Sequence, residues 1–454
     1  MSKMDNIVSL CKRRGFIFPG SDIYGGFAGT WDFGPLGVML KKNIMDLWWN
    51  FWVEKRDDIF GVDAAILMNP QTWVASGHTK TFADPLVECK ECHGRFRADK
   101  LADGLSESVS TDEFRSLHLK CPTCGKENWG EIRKFNMMFS THVGAVLPDD
   151  FSSEDSKALV EKSTAYLRPE TAQGIFTNYK NIVDTLYPDI PFGIAQQGKA
   201  FRNEISPRDF ILRDRECSQM EIEYFVRPDS WKPEFEKLLK ETHDFLENIF
   251  GLSPSDLTDV EVEASDRAHY SDRTVDIMFN YPNGEEELMG LAYRTDFDLK
   301  NIERASGKSM EYRDKLTKEA FVPHVIEPSI GVERVLLAIL SSAYSEEKVE
   351  GKDETRTVLK LPEALAPYKF CVSPLLKNKP ELVEKAKAVY DQIKQKYTFV
   401  TWDDSGNIGK RYRKQDEIGT PKCVVVDFDS LEDDTVTVRD RDTASQIRVK
   451  ISEL

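Results

Sequence analysis

The chain has 454 residues, enough for roughly two or three domains and a large core. Its 77 acidic and 61 basic residues give a formal net charge of −16, which argues against indiscriminate binding of nucleic acid. No apolar run approaches the ~20 residues that cross a bilayer, and the polar N-terminus lacks a secretory apolar segment. We therefore expect a cytoplasmic protein that does not enter a membrane.

The first predicted elements are helices. Apolar residues at helical spacing predict a short amphipathic helix over residues 5–14, ended by Gly15, and a longer helix rich in aromatic residues over residues 36–58. Residues 60–68 predict a strand that ends at Asn69 and Pro70. The pattern alone leaves open whether the long helix is merely buried or belongs to an interface.

Residues 87–134 differ in character from their surroundings and contain two CxxC pairs, Cys89 with Cys92 and Cys121 with Cys124. Two such knuckles can place four thiolates around one tetrahedral zinc ion, and four protein ligands leave no open position. We predict a zinc-ribbon-like insertion with a structural Zn²⁺. The alternative is that four reduced cysteines lie together without a metal.

A hairpin is predicted next, with Arg202 and Glu204 near its first strand and Glu221 on its second. Strand residues two positions apart share a face, so these side chains would lie on one wall of a cleft. Arginine suits a phosphate in two-point geometry, and a nearby carboxylate accepts from an amino group. This wall therefore suits a nucleotide whose α-phosphate reacts. The alternative is a cross-strand ladder of salt bridges.

The second half of the chain predicts further helices at residues 231–250 and 332–344, strands within residues 261–290, and a charged linker at residues 345–357. From residue 367 onward, strands alternate with a helix at residues 381–397, which indicates a compact α/β domain.

Several motifs resemble those of the class II aminoacyl-tRNA synthetases. Residues 201–204 (FRNE) with Arg213 and Glu221 resemble motif 2, and residues 331–337 (GVERVLL) resemble motif 3. The stretches at 25–37 (GGFAGTWDFGPLG), 168–174 (RPETAQG) and 327–331 (EPSIG) are similar to the homodimeric glycyl members. The resemblance covers nearly the whole chain.

The resemblance implies an α+β protein whose catalytic domain is built on an antiparallel sheet. It divides the chain into a first catalytic part (residues 1–86, with motif 1 at the expected dimer interface), the insertion (87–134), a second catalytic part (135–345), a linker (346–366) and a C-terminal α/β anticodon-binding domain (367–454).

The family's roles transfer to matching positions. The expected catalytic residues are Arg202, Glu204 and Arg334. By resemblance, Arg202 binds the α-phosphate of ATP, Glu204 contacts the adenine amino group, and Arg334 reaches the γ-phosphate. Glu287 and Glu333 are expected near Mg²⁺, which prefers hard oxygen ligands. The expected ATP-binding residues are Arg202, Asn203, Glu204, Leu212, Arg213, Asp214, Arg215, Glu216, Cys217, Glu287, Leu288, Gly331, Val332, Glu333 and Arg334.

Glycine has no side chain, so its recognition must come from its ammonium group and from steric exclusion of larger residues. By resemblance, Glu170 and Glu327 hold the ammonium group and Ser329 crowds the α-carbon. The alternative for the two glutamates is ordinary capping or ion pairing. The expected substrate-binding residues are Arg97, Glu170, Cys217, Ser218, Gln219, Met220, Glu221, Glu327, Pro328, Ser329, Ile330 and Gly331.

One departure stands at Cys217, where the family usually has a phenylalanine that stacks on adenine. Cysteine offers less apolar surface. We expect weaker ATP binding, or compensation by another aromatic residue such as Phe210.

A basic cluster in the C-terminal domain contains Lys410, Arg411, Tyr412 and Arg413. It resembles the tRNA-binding part of the anticodon-binding domain, where cations position phosphates and a ring can stack on an unpaired base. A solvated basic helix is the alternative.

Together these features predict an enzyme that attaches glycine to tRNA(Gly) with ATP, through glycyl-adenylate, as a homodimer. The alternatives are another class II synthetase and a non-catalytic synthetase-like protein that binds nucleic acid.

Overall fold

The computed structural model describes residues 2–102, 105, 109–144, 154–205, 207, 209–348 and 353–454. Its α-helices are α1 (Lys3–Arg14), α2 (Pro35–Trp49), α3 (Gln71–Ala75), α4 (His78–Thr81), α5 (Thr111–Ser116), α6 (Glu154–Ser163), α7 (Ala172–Leu186), α8 (Trp231–Asn248), α9 (Phe297–Ser306), α10 (Val332–Ala343), α11 (Pro380–Lys396), α12 (Ile408–Ile418) and α13 (Asp429–Asp433).

The strands are β1 (Ile17–Pro19), β2 (Trp31–Phe33), β3 (Ile59–Gly61), β4 (Ala83–Glu88), β5 (Arg95–Arg97), β6 (Arg133–Asn136), β7 (Ser140–His142), β8 (Thr164–Tyr166), β9 (Phe192–Phe201), β10 (Glu216–Val226), β11 (Leu257–Glu261), β12 (Arg273–Tyr281), β13 (Gly284–Thr295), β14 (Tyr312–Arg313), β15 (Ala320–Phe321), β16 (His324–Gly331), β17 (Tyr344–Lys348), β18 (Thr355–Leu359), β19 (Phe370–Pro374), β20 (Val400–Trp402), β21 (Lys422–Val426), β22 (Thr435–Asp440) and β23 (Gln446–Lys450).

A seven-stranded sheet, in the order β11-β12-β13-β16-β10-β9-β3, forms the centre of the larger domain. Its pairs are antiparallel except β3 with β9, at the edge. One face packs against α2, α8 and α10 in a large apolar core. On the other face, α7 covers the far end of β9 and β10, and the rest is lined by charged residues.

The alternation of β10 explains this division. Met220, Ile222 and Tyr224 point into the large core, whereas Glu221 and Phe225 belong to the opposite face. Along that face the side chains change from polar to apolar, and α7 covers only the apolar end. A charged cleft therefore lies beside a well-packed core.

The insertion and the C-terminal domain each have their own small sheet. The insertion has the order β5-β4-β6, and its apolar residues pack around Val87, Phe114 and Trp129. The C-terminal sheet has the order β20-β19-β21-β22-β23, with β19 parallel to β20 and β21 and covered by α11. The predicted α+β class and the C-terminal α/β domain are confirmed.

The strand predicted for residues 60–68 is mostly wrong. The ladder with β9 ends where the Val62 amide donates to the Ala195 carbonyl. Beyond this point the Ala64 carbonyl accepts from the buried guanidinium of Arg168 at 2.9 Å, so a side chain replaces the partner strand. The preceding helix also differs from its prediction, since α2 continues as a π-helix over Asn50–Glu54.

The charged segment predicted as a linker contains regular structure, because β17 pairs with β18. The acidic middle of the insertion lies partly outside the described residues. In the part of the chain that the structure describes, no helix is long and apolar enough to cross a membrane.

Candidate active site

A cleft of about 540 Å³ opens on the charged face of the large sheet. Its floor comes from β10, β12, β13 and β16, and its walls come from the β9–β10 loop, the β11–β12 loop and the insertion. The predicted site residues that line it are Arg97, Glu170, Arg202, Glu204, Leu212, Arg213, Asp214, Cys217, Gln219, Glu221, Glu287, Leu288, Glu327, Ser329, Gly331, Glu333 and Arg334.

Some predicted substrate-binding residues turn their side chains away from the cleft. The side chains of Ser218, Met220, Pro328 and Ile330 alternate with those of the cleft residues and point to the opposite face. Val332, the first residue of α10, also lies outside the cleft lining. Met220, Ile330 and Val332 are almost fully buried in the large core. They support the cleft from behind, and their side chains do not face a ligand.

Three further predicted residues lie away from the cleft. Glu216 pairs with Lys199 at 2.9 Å. The backbone N–H of Asn203 donates to the Met137 carbonyl. Arg215 donates to the carbonyl oxygens of Ala28 and Glu204, at 2.7 and 3.1 Å. Arg215 therefore fixes two loops to each other.

Arg202 and Glu204 follow the end of β9, so their shared orientation does not come from strand alternation as predicted. The Arg202 Nε donates to the Pro169 carbonyl at 3.1 Å. The same stretch is held by Arg168, whose Nε donates to the Lys199 carbonyl at 2.7 Å. A Cβ at Gly198 would lie 2.1 Å from an Arg168 nitrogen, which explains the glycine there.

A cationic end of the cleft is formed by Arg202, Arg213 and Arg334. Arg334 Nη1 lies 2.9 Å from Glu287 Oε1, and its charge lowers the pKa of Glu287. Arg334 also accepts through its backbone carbonyl from the Tyr281 hydroxyl at 3.1 Å. The guanidinium groups are thus positioned to receive a polyanion.

Sequence reasoning missed Asp276, which lines the same end of the cleft from β12. Burial, with the neighbouring Glu287 charge, raises the pKa of Asp276 to about 6. Asp276 and Glu287 together offer hard carboxylate oxygens of the kind that Mg²⁺ prefers. The available signal was an acidic residue between two apolar ones, Val275 and Ile277, in the middle of a strand.

Glu333 lines the cleft, but both of its carboxylate oxygens have protein partners. Its carboxylate lies 2.5 Å from Lys41 Nζ and accepts from the Ser218 amide at 2.8 Å. This contact ties α2 to the start of α10. Burial, with the charge of Glu333, raises the pKa of nearby Asp214 to about 8.

The opposite end of the cleft is acidic. Glu221 is 1% exposed and accepts from the Ser329 hydroxyl at 2.7 Å and from the Thr171 hydroxyl at 2.5 Å. Gln219 accepts from the Thr171 amide at 3.1 Å. These bonds hold the RPET segment against β10 and β16, and the Ser329 hydroxyl faces the cleft.

Arg294 was also missed and is the buried counterion of this end. Its guanidinium makes two bonds to Asp298, at 2.8 and 3.1 Å, and a third to Glu327 at 2.5 Å. It lies 3.7 Å from the ring centroid of Tyr270. A charged residue directly after the apolar run Leu291–Tyr293 was the available signal.

Glu170 and Arg97 complete the walls. His78 Nε2 lies 3.3 Å from Glu170 Oε2. Burial alone would raise the pKa of Glu170, but His78 and Arg294 together lower this pKa well below its ordinary value. Arg97 lies 3.0 Å from Asp84 and 2.7 Å from Asp99, which direct it from the insertion into the cleft.

Outside the cleft, the four predicted cysteine ligands converge. The Sγ atoms of Cys89 and Cys124 are 3.7 Å apart, those of Cys92 and Cys121 are 3.6 Å apart, and all four lie within 4.8 Å of one another. Zn–S bonds of about 2.3 Å in a tetrahedron require sulfur separations of about 3.8 Å. The arrangement fits a zinc ion.

The predicted tRNA-binding cluster on α12 divides into different environments. Arg411 is 3% exposed and donates to the carbonyl oxygens of Pro374 and Asp404, at 2.5 and 3.1 Å. Tyr412 packs under the Arg439 guanidinium at 4.7 Å, and Lys410 is exposed. Arg411 therefore orders a loop, and its burial argues against a contact with phosphate.

Comparisons with known proteins identify the class to which the chain belongs. Residues 157–343 match the tRNA synthetase class II core domain (G, H, P, S and T), and residues 369–454 match the anticodon binding domain. Two solved prolyl-tRNA synthetases share the fold. The one from Cryptosporidium parvum has a TM-score of 0.65 at 13% identity, and the one from Giardia lamblia has 0.67 at 16%. Each match covers 100% of this chain and 75% of the other. The chain is a class II aminoacyl-tRNA synthetase.

Full-length relatives narrow the class. The chain is 49% identical to a glycine–tRNA ligase of Clostridium acetobutylicum, over 99% of this chain and 97% of that one. It is 48% identical to the ligase of Caldanaerobacter subterraneus and 47% identical to that of Malacoplasma penetrans, each over 99% of this chain and 96% of the relative. The chain belongs to the glycine–tRNA ligase family.

Removal of the buried guanidinium tests the charge balance of the acidic end. We expect Arg294→Gln to lower the free energy of unfolding at neutral pH by about 3–5 kcal/mol, because it leaves Asp298 and Glu327 without a counterion. Burial already raises the pKa of Glu327. Its ionised form therefore costs stability above its ordinary pKa, and the deficit should shrink as the pH falls. Urea denaturation at several pH values measures this.

Arg273→Gln is the matched control. Arg273 pairs with the partly exposed Glu236 and Glu261 from the adjacent strand β12, so its loss should cost less than about 1 kcal/mol. An equally small loss for Arg294→Gln would contradict the counterion role.

Proposed function

We propose that the cleft joins glycine to the α-phosphate of ATP and releases pyrophosphate, and that it then transfers the glycyl group from the adenylate to tRNA(Gly) and releases AMP. The observation that carries this proposal is the polarity of the cleft: three arginines at one end face buried carboxylates at the other. A substrate with an ammonium group and a carboxylate fits across this gradient only in one direction, with its carboxylate toward the nucleotide.

Arg202 holds the α-phosphate and the glycine carboxylate. The pentacoordinate phosphorus accumulates negative charge as the carboxylate oxygen attacks, and fixed guanidinium groups stabilise that charge without moving. Arg213 and Arg334 bind the outer phosphates, and pyrophosphate leaves on their side. Glu204 accepts from the adenine amino group. The bond from Arg202 to Pro169 supports this assignment, because it links the phosphate site to the RPET segment.

The glycine ammonium group binds among Glu170, Glu221 and Glu327. Their burial makes each charge interaction stronger than in water. Ser329 is held in place by Glu221, and a side chain on the substrate would have to displace this pair. Steric exclusion of larger amino acids therefore needs no bulky residue in the pocket.

Asp276 and Glu287 would hold Mg²⁺ on the phosphates, and Mg²⁺ supplies charge neutralisation to the leaving pyrophosphate when it is bound. Glu333, predicted for this role, is left out because Lys41 and the Ser218 amide already occupy its oxygens.

The C-terminal domain supplies the contact with the anticodon side of tRNA. We assign this role to Lys410, Tyr412 and Arg413 on α12, and we leave out the buried Arg411. The structural Zn²⁺ on the four cysteines stabilises the insertion that carries Arg97. The homodimer and the cytoplasmic location stay predictions. The segment predicted to build the dimer interface includes β3, which lies at the edge of the large sheet.

Attachment of labelled glycine to tRNA tests the proposed function. With ATP and Mg²⁺, the chain should charge a tRNA(Gly) transcript and leave a tRNA(Ala) transcript uncharged. A chain that binds tRNA(Gly) but charges neither transcript would support the non-catalytic alternative. Charging of a different tRNA with its amino acid would support another class II synthetase.

Cys217 stands where the family usually has a phenylalanine, so restoring that ring should increase the affinity for ATP. Phe210 cannot compensate, because it packs edge-on against Trp31 at 4.8 Å within the core. We expect Cys217→Phe to lower the ATP Michaelis constant by about threefold to tenfold, since stacking on adenine contributes roughly 1 kcal/mol. Cys217→Ala controls for the loss of sulfur, and an unchanged constant in Cys217→Phe would contradict the idea.

The raised pKa of Asp276 predicts a pH dependence. Its carboxyl is charged above about pH 6, so kcat/KM for ATP should rise as the pH rises through that value. Asp276→Asn should lower kcat/KM at pH 7.5 by at least about tenfold and flatten this rise. The titration of ATP itself is common to both proteins. Asp259→Asn, on the adjacent β11, should keep the original profile. A profile unchanged in Asp276→Asn would exclude the metal-binding role.

Metal analysis tests the cysteine site. The purified chain should carry one zinc ion, and Cys92→Ser should lose it and melt at a lower temperature, because metal binding contributes to folding. Cys371→Ser, at a buried cysteine in the C-terminal domain, should retain the zinc. A full-length chain that contains no zinc would favour the metal-free alternative.

A further inference from the structure

Glu223 is a buried carboxyl group that the proposed reaction does not use. It is 0% exposed and lies on β10. The register that pairs Glu221 with Ser329 and Tyr224 with Ile326 puts Glu223 opposite Glu327 on β16. Oxygen atoms of Glu221, Glu223 and Glu327 lie within 4.8 Å of one another.

Glu223 has no compensating partner for a charge. Neither of its carboxyl oxygens has a hydrogen-bond partner among the residues that the structure describes. Glu327, by contrast, receives a bond from Arg294, and Glu221 receives two hydroxyl groups. An ionised carboxylate without a donor is costly to bury, and like charges directly opposite on neighbouring strands destabilise a sheet.

The other groups around Glu223 do not remove this cost. The acidic residues Glu170, Glu221 and Asp298 surround the pair, and Arg294 is already shared by Asp298 and Glu327. Burial and the charge of Glu327 raise the pKa of Glu223 well above its ordinary value. Two opposed carboxyl groups of this kind hold one proton between them.

We propose that Glu223 is a positioning residue that stays uncharged and directs its carboxyl proton at Glu327, whose carboxylate it thereby holds toward the amino group of glycine. This inference rests on the proposed function. The terminal torsion of a glutamate side chain is soft, so a small rotation brings the two carboxyl groups into contact. Arg294 then donates to one oxygen of Glu327 and Glu223 donates to the other, and the two bonds fix the plane of the Glu327 carboxylate.

The uncharged state also sets the charge of the pocket. A neutral Glu223 adds no charge to the acidic end, where Arg294 is already shared by Asp298 and Glu327. An ionised Glu223 would add a further uncompensated charge behind Glu327. The neutral amide of glutamine is nearly isosteric with the acid and also donates a hydrogen bond, whereas leucine is neutral and donates none.

Glycine-dependent exchange of pyrophosphate into ATP, measured without tRNA, compares Glu223→Gln and Glu223→Leu with the parent chain. We expect Glu223→Gln to keep both kcat and the glycine KM within about twofold. We expect Glu223→Leu to raise the glycine KM by about tenfold or more with kcat largely retained, because a hydrogen bond to a charged group is lost. Thr242→Val removes a buried hydroxyl that likewise has no hydrogen-bond partner in the described part of the chain, and it should leave both constants unchanged.

Two results would overturn the inference. A large rise of the glycine KM in Glu223→Gln would mean that Glu223 acts through a negative charge. An unchanged KM in Glu223→Leu would mean that Glu223 positions nothing. If the parent chain itself shows no exchange with glycine, the proposed function fails, which is a different outcome from either of these.

Infrared spectroscopy tests the protonation state even if Glu223→Leu does not fold. The difference spectrum between the parent chain and Glu223→Gln should contain the carbonyl stretch of a protonated carboxylic acid. A carboxylate band in its place would contradict the uncharged state.

Discussion

The bonds from Arg294 to Asp298 and Glu327 are the interaction on which the acidic end of the cleft depends. A pocket for an ammonium group needs carboxylates shielded from water, but buried carboxylates repel one another and lose hydration. Arg294 offsets this cost from behind, with a guanidinium that is 1% exposed. Glu170 and Glu221 have separate partners, His78 and two hydroxyl groups. The acidic end can therefore exist before the substrate binds.

The large sheet determines where the acidic and the cationic residues of the cleft lie. Adjacent strands β10 and β16 carry the acidic residues, while the arginines enter from the β9–β10 loop and from the start of α10. In the proposed reaction, the strands would hold glycine and the β9–β10 loop would contact the nucleotide. The contact of Glu333 with Lys41 ties the cationic end to α2, the helix predicted to approach the second subunit.

Much of this arrangement could be predicted from short motifs. The alternation of Glu221 with Met220 and Ile222 identified both a strand and its cleft face, and the spacing of four cysteines identified a single cluster. Arg294 and Asp276 escaped prediction because their roles depend on strand pairings between distant segments. Arg411 shows the converse limit, since a basic cluster does not reveal which guanidinium is turned inward onto backbone carbonyls. The strand predicted at residues 60–68 failed for a similar reason, because Arg168 takes the place of a neighbouring strand.

We propose that the preformed acidic pocket, with the Ser329–Glu221 pair in its lining, admits glycine and no larger amino acid. The most direct measurement is ATP–pyrophosphate exchange with each of the twenty amino acids in the absence of tRNA. We expect exchange with glycine alone, and at most a trace with alanine or serine. Efficient exchange with any larger amino acid would contradict this proposal, because such a substrate would have to displace the Ser329–Glu221 pair.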